Sequence, residues 1–222
     1  KPLFTWSYSS LALFKQCPKK YYHLRVAKDI VEPTSKQMLY GTEAHKAAED
    51  YMRDGTPLHP QFSFMQAPLD ALKERKGEKL CEFRLGLTEE LEPCEFFAKD
   101  VWWRGIADLI IQEDEFVARV IDYKTGKPDY ADTKQLEVLS LAIFKHFPKV
   151  KVVRCGLLFL VHPRFIPAQY LRENEEDIWK HWLAETNRLT LSYKNNVWNP
   201  TKNFTCKGWC PVLQCHHNGK HQ

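Results

Sequence analysis

The sequence predicts an α/β fold, with one central mixed sheet flanked by helices. The prediction rests on the order of patterns along the chain: a helix, several strands, a strongly apolar helix, then a returning strand. The longest apolar run, Leu157-Leu158-Phe159-Leu160-Val161, has the length of a buried strand and is far short of a membrane span.

The elements follow in order. Ser7 or Ser9 caps a helix through Leu11, Leu13 and Phe14 towards Tyr21, Tyr22 and Leu24. Pro18 must open a helix or break one, which allows two short helices there. A second helix covers Ser35 to Met52 and stops before the Gly55-Thr56-Pro57 breaker. Pro68 to Lys76 reads as a short helix closed by Gly77, and Lys79 to Thr88 and Glu95 to Lys99 read as strands. After a hairpin, Asp132 caps an apolar helix through Phe144, and Val150 to His162 returns as a buried strand. Ala168 to Leu171 adds an edge strand, and Glu173 to Tyr193 is a long amphipathic helix with Ile178, Trp182 and Leu189 on its apolar side. A chain of 222 residues fits one domain, 1–222: a basic helical segment over 1–30, a core over 35–193 and a cysteine-rich segment over 194–222.

Hydrophobic content of 44% and charged content of 27% are those of a soluble globular protein. Net charge is only +4, but its distribution is uneven. Lys1 to Lys28 holds six Lys or Arg and no acid, and the residues after Glu185 hold five more, again with no acid. Both ends are also rich in Trp, Tyr and Phe, unlike disordered tails. Two basic ends around an acidic middle suit phosphates at the ends and a metal in between. No basic-then-apolar signal segment opens the sequence, so the expected location is cytoplasmic, in a bacterial or phage-infected cell, with no membrane partner.

The hairpin is the most informative stretch. Arg104 to Ile111 reads as a strand, Gln112 to Glu115 as a polar turn and Phe116 to Tyr123 as the returning strand. A hairpin centred near Glu115 sets Asp108 opposite Asp122, and alternation puts Asp122 and Lys124 on one face. Carboxylates are costly to bury without a cation, and hard oxygen ligands suit Mg²⁺ or Mn²⁺ beside a phosphate-binding lysine. An Asp–Lys surface pair is the plainer alternative.

Gly105-Ile106-Ala107-Asp108 followed by Val120-Ile121-Asp122-Tyr123-Lys124-Thr125-Gly126 resembles the catalytic core of the PD-(D/E)XK nucleases, in particular their RecB-like branch. Gly41-Thr42-Glu43-Ala44-His45, continuing to Glu49, resembles that branch's upstream histidine motif. Gln135 resembles its downstream glutamine, although Leu139 stands where a tyrosine is usual. The resemblance implies a restriction-endonuclease-like core. It also implies Asp108 and Asp122 as metal ligands, with the backbone carbonyl of Tyr123 and His45 as further ones. Lys124 would act on the attacking water or the scissile phosphate, and Gln135 would hold DNA or the water network. A glutamate ligand at Glu82 is allowed, though a solvated strand residue is the expectation there.

Seven cysteines without a signal segment argue against a disulfide framework. Cys206, Cys210 and Cys215 are crowded into a proline-flanked loop, which suggests metal ligation with a fourth ligand elsewhere. RecB-like nucleases of the AddB and CRISPR-adaptation types are similar, with one early and three late cysteines around a 4Fe–4S cluster, which implies Cys17 as the fourth ligand. Their late spacing is x2 then x5, and here it is x3 then x4. Zn²⁺ with Cys17, His216 or His217 as fourth ligand is the alternative. Cys81, Cys94 and Cys155 are expected as small buried residues of strands. The staple would gather Lys15, Lys19, Lys20, Tyr21, Tyr22, Lys202, Lys207 and Trp209, basic and aromatic residues suited to DNA.

The expected function is that of a metal-dependent DNA exonuclease acting on single strands or duplex ends in recombination, repair or end-processing, with a possible recombination partner protein. No Walker-type phosphate loop occurs, so these residues carry no motor of their own. A spacer-processing nuclease of the CRISPR-adaptation kind and a non-catalytic DNA-binding module held by its cysteines are the alternatives.

Overall fold

The structure, a computed structural model, describes residues 1–221 apart from the side chains of Tyr130 and His221. The order of elements is α1 (Tyr8–Gln16), α2 (Pro18–Tyr21), α3 (Lys36–Asp54), α4 (Gln66–Lys73), β1 (Glu78–Leu87), β2 (Pro93–Cys94), β3 (Trp103–Gln112), β4 (Val117–Lys124), α5 (Lys134–His146), β5 (Val152–Phe159), β6 (Arg164–Leu171) and α6 (Glu175–Asn195). Two compact units result: Lys1–Pro2 with Ser35–Trp179, and Leu3–Thr34 with Lys180–Gln222. No helix among the described residues is long and apolar enough to cross a membrane.

The first unit holds a six-stranded mixed sheet in the order β2-β1-β3-β4-β5-β6. All neighbours are antiparallel except β4 and β5, which run parallel because α5 carries the chain back between them. Ala44, Ala48 and Met52 of α3 and Leu69 and Leu72 of α4 pack against Leu109, Ile111, Ile121 and Tyr123. The opposite face takes α5: Cys155 pairs with Val120, one residue out of phase with Ile121, and its Sγ lies 3.1 Å from Ser140 Oγ. This is the α/β sandwich expected of a restriction-endonuclease-like core.

Local signals explain the boundaries. Ser7 caps α1 in a reciprocal capping box with Ser10, and Pro18 occupies the first turn of α2, where its missing N–H costs nothing. Ser35 caps α3, and Gly55 ends it in the left-handed region at φ 71°. Four sequence expectations need correction. The short helix starts earlier, as a 3₁₀ turn over Pro60–Met65 leading into α4, because Phe62, Met65, Leu69 and Leu72 are all buried and hold that stretch on α3 and the sheet. Glu95 to Lys99 is a turn, closed by Ala98 N–H donating to Glu95 C=O at 2.9 Å; the strand there is only Pro93–Cys94. Thr133, not Asp132, is the N-cap position of α5, although Asp132 Oδ1 still accepts the Lys134 N–H at 2.9 Å. Of the three strand cysteines only Cys155 is buried, and Cys81 and Cys94 are half-buried.

The second unit packs around aromatic rings. Phe4 stacks on Tyr193, Trp6 on Trp182 and Tyr21 on Trp198, with centroids 4.9, 5.9 and 5.9 Å apart. Beyond α6 the chain is irregular, with a 3₁₀ turn over Phe204–Lys207.

Candidate active site

Three elements of the first unit supply the polar side chains. α3 presents Gly41, Thr42, His45 and Glu49 at helical spacing along one side of an open cleft of about 570 Å³. Glu82 of β1 and Ile106 and Asp108 of β3 line the other side. Gly41 permits close approach: a Cβ there would meet Thr125 Oγ1, one residue past β4, at 3.3 Å.

Asp108 links the elements. Its Oδ2 accepts the Tyr123 N–H at 2.7 Å, and its Oδ1 lies 3.4 Å from His45 Nδ1. The β3–β4 pairing ends at Leu109 with Ile121, and beyond it the Asp108 side chain reaches the β4 backbone through the Tyr123 N–H. Lys124 Nζ forms an ion pair with the buried Asp122 Oδ2 at 2.7 Å. The ammonium donates to Gln135 Oε1 of α5 at 3.2 Å. Leu139, where the resembled family usually has a tyrosine, is buried, and a Cβ at Gly105 would lie 3.2 Å from its Cδ2.

Among the described residues, His45, Glu82 and Asp108 are the one group of three possible ligands whose ligand atoms all lie within 4.8 Å of one another. Of the expected set of His45, Asp108, Asp122 and Tyr123, the first two fall in this group together with Glu82, while Asp122 is paired with Lys124. Glu82 was expected to be solvated, but it sits at φ 48° inside β1, a left-handed conformation costing about 1–2 kcal/mol for a non-glycine. The pairs flanking it, Cys81 with Leu109 and Phe83 with Ala107, keep their register, so the strain is local and accompanies the turn of its carboxylate to the cleft. A side chain's backbone strain leaves no mark on a sequence pattern.

The group is short of positive charge. Burial raises the Glu82 carboxyl above its usual range, and Asp108 and Glu49 add to the shift. Burial pushes Asp122 up to about 6; Asp108 adds to this while Lys124 opposes it. At His45 burial works against the imidazolium, but the hydrogen bond to Asp108 and the surrounding carboxylates outweigh it and raise the pKa. A cation among these residues relieves all three.

In the second unit, Cys17, Cys206, Cys210 and Cys215 line one small cavity together with Lys19, Lys20 and His217. Thr201 N–H donates to Cys17 Sγ at 3.4 Å. Burial raises the Cys210 thiol, with the Val212 N–H and Lys20 opposing and Cys17 and Cys206 reinforcing the rise. No three of these sulfurs lie within 4.8 Å of one another. Two residues expected at a DNA surface are corrected here. Lys20 is buried and paired with Glu32 at 2.9 Å, and Tyr21 is 2% exposed, bonded to Tyr193 Oη at 3.1 Å. Both pack the interior because α2 turns them inward. Lys15 is paired with Glu185, and Tyr22 lies against Trp198, whereas Lys19 is half-buried and Lys207 and Trp209 are exposed.

A family model of the PD-(D/E)XK nuclease superfamily matches residues 5–215. The chain belongs to that superfamily. Its fold is similar to that of a candidate exonuclease from Eubacterium rectale, with a TM-score of 0.53 and 12% identity over 99% of this chain and 88% of that one. SSO0001 gives a TM-score of 0.48 and 14% identity over 97% of this chain and 87% of that one. No curated protein matches. PD-(D/E)XK nucleases use divalent metals, and the cleft fits one: two carboxylates and an imidazole lie within reach of a single ion.

A site of this kind lowers the stability of its own metal-free fold. Because the Asp122 pKa is raised on folding, its carboxyl favours the folded state below its ordinary value of 3.8, and that contribution is lost as pH rises through about 6. With metal chelated, Asp122→Asn is expected to melt higher than wild type at pH 7, by on the order of 2–3 kcal/mol, and to lose the advantage near pH 4. Calorimetry in chelator at both pH values checks this. A variant that melts lower at pH 7 would show that Lys124 compensates the carboxylate fully.

Proposed function

We propose that this chain is a RecB-like, metal-dependent deoxyribonuclease that hydrolyses phosphodiesters from DNA ends in recombination, repair or end-processing. The observation that supports it best is a pair of groups joined through β4: His45 and Asp108 meet in the cleft, Asp108 takes the Tyr123 N–H, and on either side of Tyr123 Asp122 and Lys124 form an ion pair whose ammonium reaches Gln135. A DNA-binding module has no need of such a set.

In this reading His45, Glu82 and Asp108 would hold a Mg²⁺ or Mn²⁺ ion, with Asp122 and the Tyr123 carbonyl as further candidate ligands. Bound there, it would supply an activated water and neutralise phosphoryl charge. Asp108 is kept in place by the Tyr123 N–H, which leaves its other oxygen for the cleft. Lys124 faces the growing charge of the phosphate, and Gln135 is a positioning residue that restricts the ammonium to one direction. Incubating end-labelled single-stranded and duplex DNA with Mg²⁺ or Mn²⁺ tests the proposal: shortening from an end supports it, and intact DNA under every condition rejects it.

Lys124→Ala is expected to bind DNA and metal but to cleave ~10²-fold slower. Lys124→Arg should recover little, because a planar fork cannot take the place of a compact ammonium between Asp122 and Gln135. Full activity of the arginine variant in single-turnover assays would mean that Lys124 only screens phosphate from a distance.

The four cysteines complete the proposal, holding a 4Fe–4S cluster. A tetrahedral zinc with Zn–S near 2.3 Å needs sulfurs roughly 3.8 Å apart. The Thr201 N–H donated to Cys17 suits the negative charge of either group, and iron and zinc content decide between them.

A further inference from the structure

The loop between β2 and β3 builds a second surface on the sheet unit that the cleavage chemistry does not use. Arg84 and Ile106 are cross-strand partners, as are Gly86 and Arg104, so all four share one face of β1 and β3. Gly86 lets the loop cross that face: a Cβ there would lie 2.8 Å from Cys94 O and 3.0 Å from Glu95 O. The crossing brings Phe96 and Phe97 over the arginines. Arg84 lies 5.6 and 5.5 Å from the two ring centroids, and Arg104 lies 5.2 Å from Phe96.

Three properties set this cluster apart from ordinary packing. Phe97 is 71% exposed, although it meets Phe96 edge-to-face at 4.9 Å. Neither guanidinium has a counter-ion: among the described residues the arginines in ion pairs are Arg53, Arg119, Arg154 and Arg172. Glu89, Glu90, Glu92, Glu95 and Asp100 all belong to the same stretch of chain, yet none pairs with Arg84 or Arg104. Finally, Ile106, the neighbour of Arg84, also lines the cleft beside Asp108, so the two surfaces are continuous.

We infer that Arg84, Arg104, Phe96 and Phe97 form a binding track for single-stranded nucleic acid leading to the cleft, with the guanidiniums on phosphates and the exposed Phe97 ring under a base. Uncompensated cations beside an exposed ring match this ligand, because phosphates need charge and every base offers a face to stack. A duplex hides those faces. The direction of the track rests on the nuclease reading, but binding itself does not.

Binding of fluorescent oligothymidylate, followed by anisotropy in chelator so that nothing is cleaved, tests the track. Phe97→Leu is expected to weaken binding about tenfold, whereas Phe97→Trp keeps it. Arg84→Ala with Arg104→Ala should reduce the slope of log affinity against log salt by about 1.4, the share of two phosphate contacts on a single strand. Melting curves at the wild-type temperature confirm that each variant is folded. Unchanged affinity and slope overturn the inference, as does equal weakening by the leucine and tryptophan variants, since a stacking platform tolerates another ring. A wild-type protein that binds the oligonucleotide through these residues yet cleaves no DNA would reject the nuclease reading and leave the track standing.

Discussion

Asp108→Asn is expected to abolish cleavage, lowering the single-turnover rate by at least ~10³-fold, while the fold and DNA binding persist. Asp108 bridges the histidine of α3 and the backbone of β4: one oxygen lies 3.4 Å from His45 and the other takes the Tyr123 N–H at 2.7 Å. Asparagine keeps an acceptor for that N–H but removes the charge that holds a cation. Alanine leaves the N–H with no acceptor, at a cost of about 1–3 kcal/mol, so it would lower stability as well as activity. Comparing the two variants separates chemistry from folding. Affinity for DNA should hold or rise, since one fewer carboxylate faces the phosphates. Wild-type turnover by the asparagine variant would remove Asp108, and the cleft around it, from the reaction.

Cys17→Ser is expected to behave like Cys206→Ser, although the two residues are 189 positions apart. They line the same cavity, so the loss of either opens the same closure. In the crosslink model so long a loop is worth about 5 kcal/mol, and measured gains are often smaller. Both variants should lose iron, lose visible absorption and melt earlier than wild type, purified anaerobically and assayed for about four irons per chain. Asp108 and its partners belong to the other compact unit and should be chemically unaltered. Full iron content in Cys17→Ser would move the fourth ligand to His217, which also lines the cavity, or to His216. Colourless wild-type protein with one zinc would select the tetrahedral alternative.

Much of this architecture was legible in the order of residues because it depends on local rules. Ser35 and Gly55 bracket α3 through capping, and the apolar pattern of α5 marks it as a buried helix between two strands. The hairpin register, Leu109 with Ile121 through Gln112 with Ala118, follows from counting alone and leaves Asp108 and Asp122 next to the end of the paired stretch. The same counting puts Lys124 on the face of Asp122. Local rules failed where no period applied. Glu95 to Lys99 resembled a strand by composition, but Gly86 admits that loop across the sheet, a contact between residues that no repeat relates.

What the sequence by itself determined was the α/β order, the hairpin with its two aspartates and lysine, and the matching motifs that place the chain among PD-(D/E)XK nucleases. Tertiary structure alone decided which side chains meet. Glu82 joins His45 and Asp108 because its backbone adopts a left-handed conformation inside a strand, which composition does not encode. Lys20 and Tyr21, basic and aromatic as a DNA surface requires, are turned inward onto Glu32 and Tyr193 by the angle of a single helical turn. Arg84 and Phe97, thirteen residues apart and unremarkable in the sequence, are brought together by a loop folded over a glycine. Spacing constrains neighbours within an element. Burial and contact between elements depend on how the whole chain packs, and only the folded structure specifies that.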